Sequence, residues 1–362
     1  MLTTGPVEAY PQVLAALGRP MQYDYLPAYQ DYYAGVVARL RRVLRMDDDP
    51  VIMQGEAILG IEAAAAALIG DGDVVLNIVS GVYGKGFETW ARRHGREVVE
   101  IAVPFDEVVD PQAVRAALRQ RPDISIVSIC HHDTPSGTIN PVEEIGAIVA
   151  EHGAYLIVDA VSSFGGMDIF PHSCAAAVFV TSPSKCLGSA PGLSLVAVSE
   201  RGWRKIEANP AAPRASFLSL ADWRGASRPG AAFPVTPSIA EIHALDAALD
   251  LHEAEGAENV WARHAATAAA TRRGLLDLGY ELWPRRPEWC SPTATVFRVP
   301  EGCDATELRN RLVREHNILI SLGRGATAGK VLRVGHMGPA ARPENATKFL
   351  AALESVLSRQ GV

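Results

Sequence analysis

Short apolar runs bounded by turn-forming residues recur in the N-terminal part of the chain: Val74–Val79, Ile124–Ile129, Tyr155–Val158, Ala177–Val180 and Leu193–Val198. Each is mostly apolar and short enough to predict a strand buried on both faces of a sheet. Between them, Pro111–Arg119 and Val142–Glu151 place apolar residues at helical spacing. Buried strands alternating with amphipathic helices predict an α/β fold, a mostly parallel sheet wound by helices. From Ser238 to about Gly279 the pattern is that of a long helix, with Ile239, Ile242, Leu245, Ala248, Leu249 and Leu251 on its apolar side. Beyond it, Thr293–Val299 and Ile318–Ser321 predict strands, and Ala305–Glu315 and Pro343–Ser358 predict helices. The simplest division is an N-terminal arm over 1–15, a large α/β domain over 16–240, and a linking helix with a small α+β domain over 241–362.

Composition narrows the class. A chain of 362 residues suits two domains on one continuous core. Its 48% apolar and 21% charged residues match an ordinary soluble protein. The net charge is −7 and the basic runs are no longer than Arg41-Arg42 and Arg285-Arg286, which argues against a nucleic-acid partner. Five scattered cysteines (Cys130, Cys174, Cys186, Cys290, Cys303), with no C-x-x-C pair, argue against a disulfide framework or zinc and fit a reducing cytoplasm. Met1–Tyr10 lacks the features of a signal peptide, and no run reaches the roughly 18 apolar residues of a membrane span.

Two of the predicted strands lead into residues that carry chemistry. Asp159 stands at the carboxyl end of Tyr155–Val158, and Ala177–Val180 leads into Thr181-Ser182-Pro183-Ser184-Lys185-Cys186-Leu187-Gly188. Ligands of open α/β sheets bind outside the carboxyl ends of the strands. Pyridoxal chemistry needs this pair: an amine to attack C4′ of the ring, and a carboxylate that keeps N1 protonated so that the ring accepts electrons. Singly, a loop lysine is usually solvated and a strand-end aspartate usually shapes a turn; the two together carry the reading. His131-His132-Asp133 invites a metal, but adjacent histidines on a strand end face opposite sides and cannot easily share an ion, so none is expected.

The segment VDAVSSFGGMDIFPHSCAAAVFVTSPSKCLGSAPG around Lys185 resembles the class V aminotransferases, as do TTGPVEAYPQVL, GEAILGIEA, SGVYGKGF, HHDTPSGTINP, TPSIAEIHALDAAL and the C-terminal GRG…LRVGHMGP. The likeness covers almost the whole chain. It implies fold type I, with a large domain built on a mostly parallel seven-stranded sheet, a smaller C-terminal α+β domain, and a site built on a homodimer or a dimer of dimers. It also implies that Lys185 is the Schiff-base lysine and that Asp159 holds the ring nitrogen. By the same resemblance Tyr83 stacks on the ring, Thr134 lies near the O3′ edge, and Arg333 grips the carboxylate of an amino or keto acid as a bidentate fork. Arg324 is a second clamp, a gate, or a surface arginine, and Arg214 is a weaker candidate. A desulfurase on the same fold would need a nucleophilic cysteine, for which Cys290 and Cys303 are weak candidates.

Gly55-Glu56-Ala57-Ile58-Leu59-Gly60 departs from the family pattern. In ordinary members this loop opens a helix and offers small hydroxyl or amide groups to the 5′-phosphate of the cofactor. A carboxylate ~4 Å from one phosphate charge costs about 4 kcal/mol at an effective dielectric near 20, roughly a thousandfold in affinity. Ser184 replaces a glutamine that often contacts the phosphate, Phe233 replaces a tyrosine that reaches across the subunit interface, and Val235 stands where a bulkier aromatic is expected. Two readings follow. Either Glu56 only caps its helix and pyridoxal phosphate is the cofactor of an aminotransferase acting on alanine or serine with glyoxylate or pyruvate. Or the cup rejects phosphate, Glu56 accepts a hydrogen bond from the 5′-hydroxymethyl group, and no permanently bound cofactor is expected. In that case pyridoxal and pyridoxamine bind as substrates at Lys185. The cup and its neighbouring segments are similar to those of class members that act on the unphosphorylated vitamer. That similarity implies pyridoxamine and pyruvate giving pyridoxal and L-alanine, a step in vitamin B6 breakdown.

Overall fold

The computed structural model describes residues 1–358; the last four positions of the C-terminal unit expected over 241–362 lie outside the described residues. Strands β1 (Val51–Gln54), β2 (Val74–Val79), β3 (Glu97–Ala102), β4 (Ile124–Cys130), the short β5 (His132–Asp133) and β6 (Thr138–Ile139), β7 (Tyr155–Asp159), β8 (Val178–Thr181) and β9 (Leu193–Val198) come first. Seven of them form one sheet in the order β1-β9-β8-β7-β4-β2-β3. The strands from β3 to β8 in that order are parallel, while β9 runs antiparallel to β8 and β1 antiparallel to β9. β2, β8 and β9 are buried along their whole length, as their predominantly apolar, uncharged runs predict.

Two sheet strands escape the apolar-run pattern. β1 is only four residues long. β3 is the outer strand, and its Glu97 and Glu100 face water, paired with Arg121 and Lys85. Charges on an edge strand discourage pairing with another chain.

The chain goes from β2 outward to β3 and then returns to β4 on the other side of β2. This reversal opens a crevice at the carboxyl ends of β2, β4 and β7. Helices Ala57–Leu68 and Val82–His94 begin at that same end of the sheet, directly after β1 and β2. The Ala-rich run of the first lets it lie close to the sheet: Gly60 approaches Ser194 and Val180 so nearly that a β-carbon there would touch both.

The continuous helix expected from Ser238 is two helices, Ile239–Glu255 and Ala257–Asp277. Gly256 separates them with φ +83, a left-handed conformation that glycine adopts at no steric cost. A second sheet of order β10-β12-β11 follows, from β10 (Ala294–Arg298), β11 (Ser321–Leu322) and β12 (Val331–Gly335). The expected strand Ile318–Ser321 is therefore displaced toward its C-terminal end, and Ile320 instead bridges Leu2 of the N-terminal segment. Leu2 also bonds Leu319 and Gly335 through its backbone, so the start of the chain is stitched onto this sheet. Helices Ala305–His316 and Pro343–Ser358 pack around Phe297 and Phe349 in a separate apolar cluster. Among the described residues no helix is long and apolar enough to cross a membrane.

Candidate active site

Lys185 sits in a loop after β8 that its own serines hold rigid. Ser182 Oγ donates to Leu193 O at 3.0 Å and accepts the Ser184 N–H at 3.2 Å, and the Ser184 and Ser182 hydroxyls meet at 2.8 Å. The hydroxyl of Ser184 is thus engaged within the loop. Lys185 Nζ donates to the carbonyl of Thr4 at 2.5 Å. Burial holds the lysine amine below its ordinary pKa, opposed by Cys186, Asp159 and Glu56 and reinforced by Arg333.

Asp159 ends β7 beside Cys130 of β4, its register partner. Its Oδ1 accepts the Val161 N–H at 2.9 Å. Burial raises the carboxyl pKa, while that N–H, the Cys130 thiol and the Lys185 charge oppose the rise. Tyr83 lies in the first turn of helix Val82–His94. Burial raises its phenol, and Arg324 and Arg333 pull it back.

Arg333 projects from β12 and is only 8% exposed. Its Nε donates to Leu322 O at 2.8 Å, and one terminal nitrogen donates to Thr134 Oγ1 at 3.2 Å. Among the described residues no carboxylate pairs with it. A buried guanidinium with donors left free has the geometry to take a carboxylate as a fork. Arg324 is exposed and lies close enough to Tyr83 and Arg333 to influence both.

Glu56 caps helix Ala57–Leu68, its Oε2 accepting the Ile58 N–H at 3.0 Å. The helix terminus where a phosphate would be expected already carries a negative charge from the chain itself. Lys185, Asp159, Glu56, Arg333 and Tyr83 act on one another electrostatically, and Thr134 joins them through Arg333. A cavity of about 210 Å³ opens among Tyr83, Asp159, Cys130, Ile58 and Arg324.

Other candidates stand apart. Arg214 bonds the backbone of Ala212 and Pro213. Phe233 packs edge-on against Tyr29 and Tyr33. Cys290 bonds the Arg286 carbonyl, and burial raises its thiol. His131 bonds Ser163, whereas His132 is surrounded by Ser162, Ser291 and Thr293, so the two imidazoles serve different partners. Sequence reasoning missed the Thr4 carbonyl and the Cys130 thiol. The TTGP segment was a signal for the first; nothing marked the second.

A buried lysine, a strand-end carboxylate, a tyrosine in a helix's first turn and a buried arginine that pairs with no carboxylate among the described residues suit pyridoxal-type transamination. Residues 27–343 match the sequence profile described as Aminotransferase class-V. The chain belongs to the class-V aminotransferases. Pyridoxamine–pyruvate transaminase of Mesorhizobium japonicum is 53% identical over 99% of this chain and 92% of the relative. The crystal structure of pyridoxamine–pyruvate aminotransferase from Mesorhizobium loti superposes with a TM-score of 0.98 at 53% identity, covering 100% and 92% of the two chains. Alanine–glyoxylate aminotransferase from Nostoc sp. superposes at 0.93 with 31% identity, covering 98% and 94%. The fold of this class-V aminotransferase is therefore fold type I, as its sequence motifs imply.

Proposed function

We propose that the chain transfers the amino group of pyridoxamine to pyruvate, releasing pyridoxal and L-alanine, with the vitamer a substrate rather than a resident cofactor. The observation that carries this reading is the Glu56 carboxylate on the N-terminus of helix Ala57–Leu68. An anion cannot take that N–H without displacing a like charge, whereas a neutral hydroxymethyl group can donate to the free Glu56 oxygen. The relative from Mesorhizobium japonicum that bears the name of this reaction supports it.

When bound, the protonated pyridine ring supplies an electron sink for the bonds broken at the neighbouring carbon. Asp159 keeps the proton on N1, where its carboxylate faces a positive charge. Tyr83 covers one face of the ring, and Thr134 lies at its O3′ edge. Arg333 holds the pyruvate carboxylate with the donors that Leu322 and Thr134 leave free. Burial holds the Lys185 amine below its ordinary pKa, which favours the free base, and Nζ moves the proton between C4′ of the vitamer and Cα of the acid. Arg324, exposed at the cavity mouth, is the second contact for the incoming acid. The amino group and the carbonyl oxygen exchange places, so the reaction needs no external oxidant.

The active unit is a homodimer or a dimer of dimers in the cytoplasm, acting in vitamin B6 breakdown. Exposed Leu14, Met21, Tyr23, Tyr25, Leu26 and Phe217 support pairing of copies, and cysteines that form no disulfide among the described residues suit a reducing compartment. The test is to purify and dialyse the protein, assay it for bound phosphorylated vitamer, and incubate it with pyridoxamine and pyruvate. Pyridoxal and alanine should appear in equal amounts without added phosphate ester. Stoichiometric pyridoxal phosphate surviving dialysis, with transamination between alanine or serine and glyoxylate, would overturn the reading.

A further inference from the structure

Asp133 has no part in the mechanism above, yet it is wholly buried. Its Oδ2 accepts the N–H of Tyr83 at 2.6 Å and of Gly84 at 3.1 Å. Those donors belong to the first turn of helix Val82–His94, whose own cap position is Gly81, a residue with no side chain to offer. The helix therefore borrows its cap from the ribbon after β4.

Gly81 records the same arrangement independently. Its φ of −176 is ordinary extended backbone that any residue adopts. A β-carbon there would land on the Asp133 carboxyl, so glycine is needed to admit that carboxylate. The other oxygen, Oδ1, is buried without a partner. One residue further on, Thr134 holds Arg333. Asp133 and Thr134 thus tie the helix bearing Tyr83 and the arginine of β12 to one short segment.

We propose that Asp133 is a positioning residue for the vitamer: its carboxylate fixes the first turn of helix Val82–His94 and so sets Tyr83 against the ring, in register with Arg333. This rests on the assignment of Tyr83 to the ring face. The charged and titratable groups that face Asp133 are Asp159 on β7, Cys130 on β4, Arg333 on β12 and Tyr83 on the helix. Burial pushes the Asp133 carboxyl up to about 7, against the Gly84 and Tyr83 N–H groups and with help from Asp159. Protonation therefore weakens the cap as pH falls below neutrality.

The test is pyridoxal affinity, read by absorbance, for the full-length wild type, Asp133→Ala, Tyr83→Ala and the double variant. Asp133→Ala is expected to weaken binding about tenfold. The double variant should bind no more weakly than Tyr83→Ala alone, because the aspartate acts through the tyrosine. Asp133→Asn, whose amide oxygen still accepts both N–H groups, should restore affinity to within about twofold at pH 8 and bind alike at pH 8 and 6. Wild-type affinity in Asp133→Ala, multiplicative losses in the double variant, or failure of asparagine to rescue would each overturn the proposal alone. If Tyr83→Ala itself binds as wild type, the ring-face assignment falls and this proposal with it. Should Asp133→Ala not fold, the pH comparison of Asp133→Asn with wild type decides: an acid-side loss shared by both overturns it.

Discussion

Replacing Glu56 with serine removes a charge from the end of helix Ala57–Leu68 and keeps a side chain able to cap it. In the wild type the Ile58 N–H donates to Glu56 Oε2 at 3.0 Å. A phosphate oxygen taking that N–H would stand about 3 Å from the nitrogen, leaving the displaced carboxylate roughly 4 Å away by hydrogen-bond geometry. Unit charges at that separation repel by about 4 kcal/mol at an effective dielectric of 20, or ~2 kcal/mol at twice that value. The higher dielectric matters because Glu56 is exposed. These limits correspond to roughly thirtyfold and roughly a thousandfold in affinity. The assay is absorbance titration with pyridoxal and with pyridoxal 5′-phosphate, on wild type, Glu56→Ser and Glu56→Gln. The phosphate form should bind at least ~30-fold more tightly to Glu56→Ser than to wild type, with pyridoxal weakened less than ~10-fold. Glu56→Gln, equal in size but neutral, should recover much of the gain. Phosphate-form affinity unchanged in both variants would refute the electrostatic reasoning.

Lys185→Ala should abolish turnover while leaving pyridoxamine binding within about tenfold of wild type, since Asp159 and Tyr83 still hold the ring; loss of binding in a folded protein, measured by equilibrium dialysis, would contradict this. Arg333→Lys should raise the KM for pyruvate about a hundredfold, because an ammonium cannot form the fork, with little change in pyridoxamine affinity. Steady-state kinetics with each substrate varied separates the two. Stability should fall on acidification from pH 6.5 toward pH 4. Burial pushes His131 and His264 down to about 4 and His132 and His336 down to about 3. The unfolded chain takes up protons below about 6.5 that the folded chain refuses, at ~1.4 kcal/mol per pH unit for each histidine. Asp133, which keeps its proton in the folded state up to about 7, offsets one of these four. A net loss of ~4 kcal/mol per pH unit near pH 5 is therefore expected, and urea midpoints flat between pH 7 and 5 would contradict it.

The sheet was legible wherever burial on both faces writes a short, uncharged and mostly apolar run, as in β2, β8 and β9. It was illegible at β3, where an outer position lets Glu97 and Glu100 interrupt the run, and at β1, too short to stand out. The break at Gly256 was hidden because apolar spacing continues into the next helix; only the positive φ ends the first one. Within the site, strand-end logic reaches Asp159, and the loop that follows β8 reaches Lys185. Glu56 was visible as a charge in a neutral position, and its bond to the Ile58 N–H sets a like-charge penalty against a phosphate at the helix end. Contacts across the fold were not visible: Lys185 bonds a carbonyl 181 residues away, and Asp133 caps a helix that lies fifty residues earlier. Such pairings depend on strand order, which no local pattern encodes. Asp133 accordingly stood out in the sequence only as the neighbour of two histidines.

The central claim is that the ring held between Lys185 and Asp159 arrives without a phosphate. It is tested most directly by kcat/KM for pyridoxamine and for pyridoxamine 5′-phosphate, measured on the same dialysed protein with saturating pyruvate. Exclusion of phosphate by Glu56 requires pyridoxamine to be favoured by at least ~30-fold. Equal values, or a preference for the phosphate ester, would contradict the account.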